Sequence, residues 1–190
     1  MKIGLLYEGD LDEKPLIAIV KRLVLKFKPS TQLAFFPNPA HGSIDNHIRR
    51  SVVLFFETFE CDLAIFIADT DGKVIKKRRI SGLVSRYCKE FAPLSLHVVA
   101  FPDPELEQWF LDEEDSIKKI LNLLGNKQLP YSGMGSKERL QRIIKENNKD
   151  VTLNRNDIYT EIAETVNFGK LLMRSPSFKK FFNSLKKSVM

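Results

Sequence analysis

The sequence predicts an α/β fold: a four-stranded parallel sheet flanked by helices, followed by a helical C-terminal extension. Three observations carry this reading. Four short apolar runs each stop at a turn rich in Pro, Gly or acidic residues, segments with helical spacing separate them, and no strand-like run follows residue 103. Strands joined by connections of helix length pair in parallel, because a tight turn joins only antiparallel neighbours.

Residues 2–7, KIGLLY, form the first run and stop at Glu8-Gly9-Asp10. From Asp12 the register becomes helical, with Leu16, Val20, Leu23, Val24 and Phe27 on one stripe, Asp12 as N-cap, Pro15 in the first turn and Pro29-Ser30 as the stop. QLAFF (32–36) is the second strand, and the loop PNPAHG behind it is expected to hold no regular structure. Ser43 is placed to cap a second helix whose stripe runs Ile44, Ile48, Val52, Phe55, Phe56 and Phe59. DLAIFIA (62–68), the third strand, stops at Asp69-Thr70-Asp71-Gly72. A basic run follows, Lys73, Lys76, Lys77, Arg78 and Arg79, and helical spacing returns with Ile80, Leu83, Val84, Tyr87 and Phe91. LSLHVVAF (94–101) is the fourth strand, closed by Pro102-Asp103-Pro104.

The remainder reads as helices near 104–124, 136–147, 156–167 and 176–187. Ser175 is the expected cap of the last, with Pro176 at its first position and Phe178, Phe181, Phe182 and Leu185 on one face. The organisation is a core over 1–103 with the helical extension 104–190 packed on it as one unit, and QLPYSGMGS (128–136) is the expected flexible break.

At 190 residues, 43% hydrophobic and 28% charged, the chain suits an ordinary globular domain rather than a disordered or low-complexity one. Its net charge of +6 permits a polyanionic partner without demanding one. Cys61 and Cys88 lie too far apart for a disulfide framework or a thiolate metal site and read as small buried hydrophobes. Glu8 and Asp10 interrupt the first apolar run too early for a secretory signal, and no run is long enough to span a bilayer. The expectation is a cytoplasmic protein without a membrane partner.

In an open parallel sheet the functional crevice lies beyond the C-terminal strand ends. Acidic residues recur there: Glu8 after the first strand, Asp69 and Asp71 after the third, Asp103, Glu105 and Glu107 after the fourth. Glu8 and Asp69 come side by side if strands one and three are neighbours. Crowded carboxylates repel one another and need a cation to stay ionised, and oxygen ligands of this hardness select Mg²⁺ or Mn²⁺. An ion so held can stabilise the charge that develops in phosphodiester cleavage or phosphoryl transfer, with Glu8 as ligand or as general acid or base. Plainer structural readings stand beside this one. Asp and Gly are ordinary turn residues, Asp103 is an expected helix N-cap, and Glu105 complements a helix dipole.

The order strand, Glu8-Gly9, helix, strand, Asp69-Thr70-Asp71-Gly72 resembles the TOPRIM domain, a Rossmann-like domain shared by topoisomerases, DnaG-type primases and OLD-family nucleases. PDPELEQWFLDEE (102–114), the Lys in GSKERL (135–140) and the ending SPSFKKFF (175–182) are similar to small, mostly uncharacterised bacterial TOPRIM-like proteins, some of whose relatives are linked to phage defence. The resemblance implies a Mg²⁺ site for strand cleavage or nucleotidyl transfer at Glu8, Asp69 and Asp71. Its E-x-W pattern falls on Glu107 and Trp109, making Glu107 a better candidate than Glu105 for a further ligand. Those two glutamates, two apart on one helix, are not expected to share a face. Lys137 is either a group that neutralises a scissile phosphate or a solvated lysine at a helix start. The chain lacks a topoisomerase's tyrosine-bearing domain and a primase's zinc-binding segment.

The basic run Lys73, Lys76, Lys77, Arg78 and Arg79 is placed to guide a DNA or RNA backbone towards the metal, or is a solvated surface. His41 is a candidate for proton transfer in the same crevice, whereas His47 and His97 read as surface and strand residues. Trp109 and Phe110 are expected to anchor the helical half, with base stacking as the alternative. Two competing functions remain. One is a non-catalytic nucleic-acid-binding or regulatory subunit that partners an ATPase or effector. The other, more distant, is a haloacid-dehalogenase-type phosphatase, suggested by Asp69-Thr70-Asp71-Gly72, although that motif normally follows the first strand.

Overall fold

Strands β1 (Lys2–Tyr7), β2 (Ala34–Pro39), β3 (Leu63–Ile67) and β4 (Leu96–Ala100) form one all-parallel sheet in the order β2-β1-β3-β4. The computed structural model describes residues 1–9, 12–40, 42–123, 128–147 and 154–190. Within it, Ile3 stands opposite Leu63, Leu6 opposite Phe66 and Ile67 opposite Ala100.

Side chains alternate between the two faces of a strand. Ile3, Leu5, Tyr7, Leu63, Ile65 and Ile67 pack on one face with helix α1 (Glu13–Phe27), through its stripe Leu16, Ile19, Val20, Leu23 and Val24. Leu6, Ala64 and Phe66 pack on the other with α2 (Ile48–Val53) and α3 (Val74–Phe91). Phe55 lies against β1 at Gly4, where an added Cβ would come within 2.4 Å of the ring. Only glycine allows that approach.

Among the described residues, the second half holds the helices α4 (Leu106–Asp112), α5 (Glu114–Ile120), α6 (Ser136–Asn147), α7 (Arg155–Thr165), α8 (Phe168–Arg174) and α9 (Pro176–Val189). They extend the core on the face of α1. Arg22 of α1 donates to the carbonyl oxygens of Ala163 and Val166 at 2.6 and 2.9 Å, satisfying acceptors at the end of α7 that its own helix leaves open. Trp109 is fully buried against Phe178 and Phe181 of α9, and its Nε1 donates to Ser177 Oγ at 2.8 Å. Phe110 packs edge-on to Tyr159 of α7. The anchoring expectation therefore holds, and burial leaves Trp109 no face for a base.

Local differences from the sequence reading have physical causes. The second strand runs through Pro37 and Pro39 because β2 is an edge strand, where a missing N–H disturbs one ladder only. The helix expected from Ser43 is divided into a 3₁₀ turn (Ile44–Asn46), α2 and a π-helical turn (Leu54–Thr58), although its apolar stripe faces the core as expected. Glu113 divides the helix expected over 104–124, capping α5 by accepting from the Ser116 N–H. Helix α8 was not expected between 167 and 176; Asn167 caps it by accepting from the Lys170 N–H. Ser43 and Ser175 occupy N-cap positions without making a side-chain cap bond. Arg139 ties the loop 128–136, donating to the carbonyls of Leu129 and Pro130. Cys61 and Cys88 are free and buried, as expected. No helix among the described residues is long and apolar enough to cross a membrane.

Candidate functional site

The strand order places a topological switch between β1 and β3. From β1 the chain leaves over one face through α1, and the other connections cover the opposite face, so a crevice opens between the two C-terminal strand ends. Glu8 follows β1 and Asp69 follows β3, bordering that crevice.

Counting the alternation onwards separates the two. Glu8 continues the parity of Leu6, towards α3, whereas Asp69 continues that of Ile67, towards α1. The acids accordingly form two groups. Around Asp69 stand Asp12, Glu107, Glu8 and Glu105, and burial together with their repulsion pushes the Asp69 carboxyl up to about 8. Asp12 rises to about 6, mainly through burial and then through Glu107. Burial likewise raises Glu107, opposed by Lys137 and by Tyr159, whose hydroxyl donates to Glu107 Oε1 at 3.4 Å. Asp69 Oδ1 accepts from the Leu106 N–H at 3.1 Å, which fixes the start of α4 against β3.

The second group lies towards α3 and is paired with cations. Lys76 Nζ stands 3.1 Å from Glu8 Oε1 and 3.4 Å from Asp71 Oδ2. Burial still raises the Glu8 carboxyl against the pull of Lys76. Asp71 (φ 49°) and Gly72 (φ 70°) turn the chain in the left-handed region, which Asp tolerates and Gly favours. Thr70, buried between them and Asp69, donates from Oγ1 to Asp103 Oδ1 at 2.7 Å, and Lys77 Nζ donates to Asp103 Oδ2 at 2.6 Å. Those two bonds hold the Asp103 carboxyl below its ordinary value.

Several expectations change here. Asp12, expected as an N-cap, makes no cap bond to α1; its Oδ2 accepts from the Gly9 N–H at 3.0 Å, and its carboxylate joins the Asp69 group. Asp103 caps no helix and instead joins Thr70 to Lys77. Glu105 precedes α4 in extended backbone, so helical spacing does not separate it from Glu107, and both act on Asp69. Its Oε2 accepts from Ser136 Oγ and the Lys137 N–H at 2.8 and 2.9 Å, capping α6 from outside. Lys137 is exposed and lies near enough to Asp12 and Glu107 to favour their ionised forms.

The basic run starts within the first turns of α3 and is largely paired: Lys76 to Glu8 and Asp71, Lys77 to Asp103, Arg79 to Asp45. Lys73 and Arg78 are exposed. His97 lies half-buried in β4, and burial pushes its imidazole down. His41 lies outside the described residues, as does Asp10 of the first turn.

The predicted trio is thus divided, with Glu8 and Asp71 joined by Lys76, and with Asp69 near Glu107, the further ligand implied by the resemblance, and near Asp12 and Glu105, which were read as helix-end residues. The signal for Asp12 was its place at the start of the helix leaving β1, a position that faces the crevice in any such sheet. The donor set is all carboxylate oxygen, a chemistry that suits Mg²⁺ or Mn²⁺, and Asp69 and Asp12 are raised first by burial and then by their acidic neighbours. Among the described residues, no three such groups lie together closely enough to form a metal site.

Fold and site define the class: an α/β protein with a carboxylate-lined crevice at the switch point of a parallel sheet. No protein-family model, curated protein or solved structure matches the chain.

Proposed function

We propose that the chain is a TOPRIM-like, Mg²⁺- or Mn²⁺-dependent enzyme that hydrolyses phosphodiester bonds in DNA or RNA. The observation that supports it is the gathering of Asp12, Asp69, Glu105 and Glu107 beside Glu8 at the switch point, where Asp69 stays protonated near neutrality unless a cation compensates it. Glu8, Asp69, Asp71 and Glu107 would hold the ion, which requires Glu8 and Asp71 to part from Lys76 and close on Asp69, since among the described residues no three of these acids stand together as a metal site. A divalent ion held there supplies positive charge to the phosphate oxygens and acidifies a bound water. Lys76, once parted from Glu8 and Asp71, would be free to meet a phosphate. Glu8 accepts the proton of the attacking water, a role suited to a carboxyl raised above its ordinary value. Lys137 neutralises charge on the scissile phosphate, and Lys73 and Arg78 meet the flanking backbone.

A second reading is favoured by Lys76 bridging Glu8 and Asp71 in place of an ion. In it the chain binds nucleic acid without cleaving it, as a subunit beside an ATPase or effector. One experiment separates the two: labelled single- and double-stranded DNA and RNA incubated with Mg²⁺, Mn²⁺ or EDTA, beside Asp69→Asn. Metal-dependent cutting lost in the variant is expected. Binding without cutting in any metal would replace the enzyme by the subunit.

A further inference from the structure

A cavity of about 410 Å³ opens between the end of β4, α4 and the start of α9, separate from the Asp69 group but joined to it through one residue. Asp103 lines the cavity and accepts from Thr70, the residue between Asp69 and Asp71. Three cations line the same space, Lys77, Arg174 and Lys180. Lys77 is held by Asp103, whereas Arg174 and Lys180 are exposed and have no ion-pair partner among the described residues, Arg174 donating to the Asp112 carbonyl oxygen at 3.5 Å. Helix α9 begins in the wall with Ser175, whose side chain makes no capping bond, so the positive end of the helix dipole adds to that charge. The other wall is of different chemistry. Phe101, half-buried, gives it an apolar surface, and Gln108 donates to Asp112 Oδ1 at 2.7 Å, leaving the Gln108 amide oxygen and Asp112 Oδ2 as acceptors.

We propose that this cavity is a nucleotide subsite, taking a phosphate at Arg174 and Lys180 and a base bearing an exocyclic amino group at Phe101, Gln108 and Asp112. Two exposed cations without a carboxylate ion pair among the described residues, beside a helix N-terminus, match a phosphate, and an apolar wall edged with acceptors matches an aminated base. The volume lies within the range of about 300–1,000 Å³ usual for small-ligand sites. A nucleotide here sits one residue from the proposed cleavage site, as the terminal unit of a strand or as a free mononucleotide. The proposal rests on the hydrolase reading for that adjacency alone, and binding itself is independent of it.

The test is isothermal titration of the full chain in EDTA with AMP, adenosine, and an adenine-ended ten-nucleotide strand with or without a 5′-phosphate. AMP is expected to bind at least about tenfold more tightly than adenosine, and Arg174→Gln with Lys180→Gln to weaken AMP about a hundredfold, at about tenfold per charge-assisted contact. Circular dichroism checks that the double variant, altered only at exposed positions, keeps its fold. Gln108→Leu is expected to weaken AMP while leaving ribose 5-phosphate unchanged. A phosphorylated strand held more tightly than AMP assigns the site to a strand end, and equal or weaker retention assigns it to a free nucleotide; both uphold the subsite. AMP bound no better than adenosine, or unaffected by the double variant, overturns it. Asp69→Asn is expected to keep AMP binding, so a wild type that holds AMP but cuts nothing defeats the hydrolase alone, and one that cuts but does not hold AMP defeats the subsite alone.

Discussion

Asp69 and Asp103 follow neighbouring strands at the same end of one sheet, yet their carboxyls are shifted in opposite directions. Asp103 has a lysine and a threonine hydroxyl on its two oxygens and sits below its ordinary value. Asp69 is surrounded by Asp12, Glu107, Glu8 and Glu105 and is pushed up to about 8. The residue type and the topological place are shared; the neighbours decide the chemistry. Asp103 is a structural link, whereas Asp69 carries a charge deficit that only an added cation or a proton removes.

The largest effect that would break this contrast is on activity. Asp69→Asn is expected to lower cleavage by about a hundredfold or more, because a first ligand matters more than the outer partners whose loss costs about 10–100-fold. Cleavage within a few-fold of wild type would remove Asp69 from the site. Glu107→Gln follows, with a loss of about tenfold to a hundredfold in activity and a weaker Mg²⁺ dependence, read from metal titrations of initial rate.

Stability against pH sharpens the comparison, because the two aspartates have opposite signs. Asp69 holds its proton more tightly folded than unfolded, so between its ordinary value of 3.8 and about 8 the folded state binds more protons and stability falls as pH rises. Thermal melts in EDTA should show a decline across that window, on the order of a few kcal/mol, that Asp69→Asn flattens. A profile flat in wild type and variant alike would show that neither burial nor its acidic neighbours raise the folded Asp69 carboxyl. Asp103 is lowered, so its contribution is present above 3.8 and is lost as the pH falls through its folded value. Its side chain is 40% exposed, so screening keeps the effect small. Asp103→Asn should cost about 1 kcal/mol at neutral pH and nothing in strong acid, measured by urea unfolding.

The smallest effect concerns the basic run, where paired and unpaired cations divide as the two aspartates do. Replacing Lys73 and Arg78 with Gln should lower the slope of log affinity against log salt by about 2, since each phosphate contact contributes about 0.9. Replacing Arg79, already held by Asp45, should change that slope less.

Much of the fold was legible because it depends on patterning. The β3 run is buried along its whole length, and the helical stripes of α1 and α9 supply core residues at the positions their spacing indicated. The interruptions were not legible. A π-helical turn after Val53 and the division at Glu113 depend on what each turn meets in space. At the site, Glu8, Asp69 and Asp71 announced themselves by ending strands, but sequence distance does not record which face each side chain takes. Asp12 and Glu105 were read through local rules of helix capping, and tertiary neighbours overrode those rules at both positions. Lys76 was visible as charge only; its bridge from Glu8 to Asp71 needed the chain folded.

The seating of Trp109 between Phe178 and Phe181 has a kinetic consequence. Glu105 occupies the N-cap position and Glu107 the first turn of the helix that carries this indole, and the indole's partners lie near the end of the chain, about 70 residues later in sequence. Loops of that length close late, after local helices have formed, because their entropy must be lost before distant contacts compensate it. Refolding followed by tryptophan fluorescence should therefore report the late docking of α9 rather than the earlier formation of local helices.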